Sequence, residues 1–394
     1  MTLPNRSAFT PPLPLVEKPA LNEVRSAWVE SRSGIKSLEP EWRALIKGTA
    51  HRSPFLRPEW TTSTLEAFLP NAQPAILVTR ENSQLSSILP LVRSNTCFGR
   101  LPLRTLRSIS SIHSIRSDLV GGDSQSEAAT EQTWAALKHE SWWNALRLDD
   151  VPENGAFHRI LRLAKRDGFL TAVWRTRLCP FLPISSSGDP QSNCPKRYKS
   201  FRNRLKGKLE KLAAHGPVSF EIHQNATPEV IAEFFELEAG GWKGQAGSAI
   251  KSRDTTRRFY TDMITHGAAH GYLRMYSMKI NGKPVAMHLG LLDDDVYYTP
   301  KVAYDEGYRE FSLGHILMRH VVHDLPGTGS SRFEFLGPNA LWKSVWTTNL
   351  LRHDNCYIFR PNLAGRIGYT TISQIASRLR KLRHRFKGDP QIIR

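Results

Sequence analysis

A chain of 394 residues is too long for one compact core, so two domains of ordinary size are expected. Lysine and arginine number 54 against 36 aspartate and glutamate, a net charge of +18 that attracts polyanions, anionic membrane surfaces and phosphate-rich molecules without choosing among them. Cys97, Cys179, Cys194 and Cys356 have no C-x-x-C spacing and are too scattered to staple a secreted scaffold, the proline-broken first twenty residues contain no signal-peptide core, and no apolar run is long enough to span a membrane, so a soluble, cytoplasmic, basic protein is expected.

In chain order, residues 1–22 read as a disordered N-terminus. Leu38 to Phe68 carries enough large apolar residues for two short helices around Ser53-Pro54. Residues 75–80 and 87–92 pair as a hairpin, although Pro90 argues against a fully bonded strand. A basic, serine-rich passage follows with Arg100, Arg104, Arg107 and Arg116. Beyond the glycines at 121 and 122, the pattern predicts a helix around 126–139, a strand at 144–149 and a helix from about 157 to 168. A serine-rich join at 185–190 then leads into a basic amphipathic helix over 196–215. Its apolar face is Tyr198, Phe201, Leu205, Leu209 and Leu212, and Lys199, Arg202, Arg204, Lys206, Lys208 and Lys211 surround it. That basic face is either a solvated surface or a contact for a polyanion.

Thr227-Pro228-Glu229 starts a helix that ends at the glycine-rich run 240–244, which contains Trp242 and Lys243. Strands follow at 272–280, 284–292 and 296–304, the first two joined by an Asn281-Gly282 turn suited to positive φ. Pro300 has no N–H to give a ladder, so the third strand should bulge and the sheet open there. A helix capped by Ser312 should then run over 312–324, its N-terminus and Gly314 facing the opening and suited to a phosphate. A strand at 331–336 and a helix at 341–348 complete the pattern. The order of types from 296 to 348 matches that from 119 to 168. The C-terminal tail, 361–394, reads as a further basic amphipathic helix that either packs or lies on an anionic membrane surface.

The run KVAYDEGYREFSLGHILM followed by FEFLGPNALWKSVW resembles the acetyltransferase domain of a bacterial cellulose-biosynthesis-associated family in the GNAT superfamily, over roughly residues 195–360. The resemblance implies an α/β fold of tandem GNAT-like units, each a mixed, mostly antiparallel sheet flanked by helices. The implied units are a non-catalytic one at 23–184, a linker with the basic helix at 185–217, and an acyltransferase unit at 218–360. It also implies acyl-CoA, typically acetyl-CoA, as co-substrate with no metal, and assigns donor binding to Pro300, Val302, Arg309, Ser312, Gly314 and His315. The superfamily's Gln/Arg-x-x-Gly-x-Gly/Ala loop is represented by Arg309, Ser312 and Gly314, without the second glycine. The tandem arrangement is similar to that of the Fem peptidyltransferases.

Acyl transfer to an amine needs a base for the acceptor's proton and an acid for the leaving thiolate. Asp305 or Glu334 is the candidate base and Tyr304 the acid; His288 is a further candidate base, with a structural role as its alternative. Glu334 alternates with Phe333 and Phe335 and so faces the opposite side of its strand. Trp242, Lys243, Lys301 and Lys343 are candidates for holding the acceptor, with a plain Glu334–Lys343 ion pair as the alternative for the last. Expected partners are a small-molecule, saccharide or peptide acceptor and a peripheral anionic membrane at the inner face. Nucleic acid is expected only if the donor is an aminoacyl-tRNA, as in Fem-type transferases. A non-catalytic adaptor for a polyanion or membrane is the reading from another class.

Overall fold

The computed structural model describes residues 23–49, 53–185, 195, 198–225, 227–241, 247 and 249–385. The first half runs β1 (Val24–Val29), α1 (Arg32–Lys47), α2 (Pro58–Phe68), β2 (Gln73–Glu81), β3 (Gln84–Phe98), β4 (Leu101–Ser108), α3 (Glu127–His139), β5 (Ala145–Pro152), α4 (Phe157–Arg166) and β6 (Leu170–Pro183). After α5 (Tyr198–Leu212), the second half repeats this order except that no described helix stands between its last two strands. It comprises β7 (Val218–His223), α6 (Pro228–Ala239), α7 (Asp254–Ala269), β8 (Met275–Ile280), β9 (Lys283–Asp293), β10 (Val296–Tyr304), α8 (Leu313–Asp324), β11 (Arg332–Glu334) and β12 (Leu350–Phe359). α9 (Leu363–Arg385) closes the described chain. In both halves the sixth and eighth elements of the repeat are parallel neighbours, β4 with β5 and β10 with β11, while their other strand pairings are antiparallel.

All twelve described strands form one sheet in the order β1-β2-β3-β4-β5-β12-β6-β11-β10-β9-β8-β7. β12 therefore lies between β5 and β6, and β6 bonds both β12 and β11. The boundaries read at 184 and 218 do not divide the sheet. The second half's last strand completes the first half's sheet, and the first half's last strand carries β11.

Local rules account for most elements. Ser31, Ser126 and Thr227 cap α1, α3 and α6 with their side-chain oxygens. Asn281 and Gly282, both at positive φ, turn β8 into β9. Three expectations need correction. Residues 341–346 form successive turns rather than a helix, and the strand at 331–336 shrinks to Arg332–Glu334, because Leu336 and Gly337 both adopt positive φ and turn the chain away. Ser312 does not cap α8 with its side chain; it sits in the left-handed region at φ 60°.

Two apolar layers cover the faces of the second half's sheet. On one, α8 and α5 pack through Leu313, Leu317, Val321, Tyr198, Leu205 and Leu212 onto Tyr276, Tyr297 and Phe333. On the other, α6 and α7 pack through Phe234, Phe259 and Met263 onto Met287, Leu289 and Tyr298. The first turns of α9 dock on the sheet, with Ile372 buried in the cluster of Phe98, Leu103 and Phe359. Among the described residues, no helix is long and apolar enough to cross a membrane.

Candidate functional site

The pairing of β10 with β11 covers only Val296 to Tyr298 against Arg332 to Glu334. β11 stops there, while β10 bulges between Tyr298 and Lys301, as Pro300 requires, and continues along β9 to Tyr304. A gap therefore opens past Tyr298 and Glu334, and the N-terminus of α8 stands beside it. The Gly314 backbone is so close to β10 that a Cβ there would lie 3.5 Å from the Tyr304 ring and 3.9 Å from Val302. Of the first-turn N–H groups, that of His315 bonds the Ser312 carbonyl at 2.9 Å, and Ser312 offers the others no side-chain cap.

The corresponding strand and helix in the first half are joined by a longer segment, 109–126, and their ends carry side-chain bonds. Ser126 caps α3 by accepting from the Ala129 N–H. Ser108 accepts from the Asp149 N–H at 3.1 Å, and Ser110 donates to the Asp149 carboxylate at 3.3 Å, which ties the ends of β4 and β5 together. Of two equivalent gaps, only the second is left open by its own side chains.

Cations and aromatic rings surround the open gap. Lys208, on α5, donates to the Glu310 carbonyl at 2.5 Å and the Ser312 hydroxyl at 2.8 Å, which places an ammonium at the start of α8. His315, in the first turn, accepts from the Trp346 indole at Nδ1, 3.1 Å, so its proton resides on Nε2. Burial, with Lys208 adding to it, lowers its pKa to about 4 and keeps the ring neutral. Arg309 is exposed on the short turn before the helix.

Lys343 is 5% exposed and donates to the Leu336 carbonyl at 2.5 Å and the Pro338 carbonyl at 2.9 Å, which fixes the turn leaving β11. It makes no ion pair with Glu334. Burial brings its pKa down to about 8, and an ammonium holding two carbonyls still has a third N–H to give. Glu334 is instead bound by two arginines: Arg116 Nη2 donates to it at 2.7 Å and Arg332 Nη2 lies 3.0 Å away.

The other candidates are spread over both faces of β10. His288 is opposite Val302 on β9 and fully buried; burial, only partly opposed by the Gly314 backbone, takes its pKa to about 3. Asp305 is exposed and accepts from the Gly307 N–H at 2.8 Å, so its loop leaves it open to water. Tyr304 is exposed at the mouth of the gap. Lys301 points to the opposite face, 5.4 Å from the centre of the Tyr260 ring, whose hydroxyl meets His113 Nδ1 at 3.1 Å. Trp242 and Lys243 lie outside the described residues. Lys208 and Arg116 had appeared in the sequence only as part of basic stretches, and nothing local marked either as belonging to this region.

Residues 199–344 match the family described as Acetyltransferase (GNAT) domain. The C-terminal segment is thus similar to a GNAT domain over these residues. Its strand parting and following helix are the features that the sequence resemblance had placed at 296–324. The fold extends beyond that domain. FemX aligns at 13% identity with a TM-score of 0.54, over 80% of this chain and 95% of FemX. The C-terminal domain of a protein described as a lysylphosphatidylglycerol synthetase from Agrobacterium fabrum aligns at 9% identity and a TM-score of 0.51, over 88% of this chain and 96% of that one. A conserved protein of unknown function from Bacteroides thetaiotaomicron aligns at 12% identity and 0.54, over 84% and 99%. At these identities the likeness is one of fold. A comparison with curated protein sequences gives no match.

Proposed function

We propose that the chain is an acyltransferase whose donor is an acyl-CoA such as acetyl-CoA. In this reading the pantetheine arm enters the gap past Tyr298 and Glu334, bounded by Pro300, Val302 and Tyr304. The pyrophosphate sits at the α8 N-terminus, where Lys208, Ser312, the Gly314 backbone and His315 converge. The observation that carries it is the contrast between the halves: the same strand and helix ends are stitched together in the first and left open beside a cation in the second. Helix-terminal N–H groups, an ammonium and a neutral imidazole donor suit phosphate oxygens, and Lys208 supplies charge where the second glycine of the superfamily loop is lacking.

The chemistry follows from which groups remain available. An amine or hydroxyl acceptor attacks the thioester carbon, its proton passes to a base, and the thiolate leaves with a proton from an acid. Glu334 is committed to Arg116 and Arg332, and His288 is too weak a base to be matched to neutral pH. Lys343, near pKa 8, is best matched to take that proton in its neutral form, its lone pair accepting while its two N–H groups stay on the Leu336 and Pro338 carbonyls. Tyr304 at the mouth is the candidate acid for the thiolate. An acceptor from polysaccharide biosynthesis is part of this reading through the family resemblance alone.

The basic face of α5 favours one second reading, a tRNA-borne aminoacyl donor of Fem type, since RNA phosphates reward such a surface. A thermal-shift comparison of acetyl-CoA, longer acyl-CoAs, free CoA and tRNA separates the two. The acyl-CoA reading predicts that CoA and its thioesters raise the unfolding midpoint by several degrees. A response to tRNA alone would overturn it.

A further inference from the structure

Among the described residues only two aromatic side chains are exposed, Tyr304 at 38% and Trp342 at 42%. Both stand at the first turn of α8. A Cβ on Gly314 would lie 3.5 Å from the Tyr304 ring, and the centre of the Trp342 ring is 6.0 Å from that of His315. Tyr304 borders the gap, whereas Trp342 is not among the groups that bound it. The other described tryptophans are buried or half-buried. Leu341, the neighbour of Trp342, is 90% exposed, so two large apolar side chains stand bare side by side. Single exposed apolar residues need no explanation, but contiguous ones point to a ligand or a partner.

Trp342 is held in place. The Lys343 N–H bonds the Ala340 carbonyl at 3.0 Å, and the Ser344 N–H and hydroxyl bond the Leu341 carbonyl at 3.2 and 2.7 Å, which fixes the backbone on both sides of it. Its ring meets those of His315 and Phe335 at 71° and 69°, with Lys343 Nζ 5.4 Å from its centre. Among the described residues no ring stacks parallel on the indole.

A fixed, open indole beside a helix end suited to phosphate is an arrangement for a nucleotide, with phosphates on the N–H groups and the base flat on the ring. This step rests on the acyl-CoA reading, which puts the pyrophosphate at Lys208, Ser312 and His315. In CoA the ribose joins the adenine to that pyrophosphate, whereas an acceptor has to meet the thioester at the far end of the pantetheine arm. A ring next to His315 is therefore placed for the base rather than for the acceptor. We propose that Trp342 is the shelf for the adenine base of the donor, and that it makes the protein select CoA thioesters over thioesters on a phosphopantetheine arm alone, such as that of a carrier protein.

The test is titration calorimetry of the full chain with CoA and, separately, with phosphopantetheine, which keeps the arm and one phosphate but lacks the adenine nucleotide. The wild type should bind CoA at least tenfold more tightly. Trp342→Ala should weaken CoA binding about tenfold or more, as removing a ring that stacks a base does, and leave phosphopantetheine binding unchanged. Trp342→Leu keeps apolar bulk without a flat ring; it should weaken CoA binding likewise and serves if the alanine variant folds poorly. Trp342→Phe restores a ring and should recover most of the preference for CoA. Equal weakening of both ligands in the alanine and leucine variants would mean that the side chain shapes the gap instead of holding the base, and would overturn the proposal. Unchanged CoA affinity in those variants would overturn it and leave the acyl-CoA reading standing, whereas no binding of CoA by the wild type would overturn both.

Discussion

Glu334 shows how far a single residue can be read from its neighbours. Alternation with Phe333 and Phe335 gave its face of the strand, and the structure keeps that arrangement: both phenylalanines lie in the layer under α8, and Glu334 lies on the other side. Its partner was not legible, because Arg116 is 218 positions away and is brought to it only by the joining of the halves. Lys343 was drawn to two carbonyls for a similarly tertiary reason, the positive-φ turn at Leu336 and Gly337. The account therefore assigns Glu334 to holding the two arginines. Glu334→Gln leaves a buried pair of guanidinium groups without a countercharge, and breaking a buried ion pair from one side costs about 3–5 kcal/mol. Urea unfolding should show a loss of that order; an unchanged midpoint would mean that Glu334 is not holding the arginines.

Among the elements, α5 was legible as an amphipathic helix, and its buried residues Tyr198, Leu205 and Leu212 belong to the predicted face. What the helix does was not legible, because spacing shows which residues share a face and not what that face meets. Lys208 meets Ser312, whereas Lys199, Lys206 and Lys211 remain exposed. Replacing those three with glutamine should leave stability within about 0.5 kcal/mol and donor affinity unchanged, while Lys208→Gln alone should weaken acyl-CoA binding about tenfold; equal effects from both sets would contradict this division. The strands β1, β4, β6, β7 and β12 were not read. β4 illustrates why: Arg104 and Arg107 are three residues apart and so fall on opposite faces, and buried Thr105 and Leu106 are adjacent, so the stretch shows no period of two and looks like a basic loop. β10 was legible through Pro300, whose missing N–H forces a bulge wherever the strand goes.

At the scale of the whole molecule, the repeat of element types was legible, but the sharing of one sheet was not. Nothing local in Leu350–Phe359 says that it will pair with β5 and β6, more than 160 residues upstream, rather than with its own half. Both halves contribute buried or largely buried histidines. Burial takes His288 and His353 to about 3 and His113 and His315 to about 4. An unfolded histidine titrates near 6.5, roughly its model-peptide value, so between about pH 6.5 and 4 the unfolded chain binds protons that the native one refuses. Stability should be insensitive to these groups above pH 6.5 and fall as pH drops through that window. Unfolding midpoints measured from pH 7.5 to 4 should decline steeply, and less steeply in His288→Leu, which removes one of the groups. A slope that is the same in both proteins would show that His288 charges in the folded state.

The central claim is that the gap between β10 and β11, with the start of α8 beside it, takes the donor. A Cβ at Gly314 meets only ordinary van der Waals contact with Tyr304 and Val302, so the fold tolerates one, but the branched side chain of valine fills the mouth of the gap. Titration calorimetry of acetyl-CoA into the wild type and Gly314→Val, with unfolding midpoints measured on both, tests it directly. The account predicts one equivalent bound by the wild type, at least tenfold weaker binding by the variant, and closely similar midpoints without ligand. Equal affinity in the two folded proteins, or no binding of acetyl-CoA by the wild type, would contradict it.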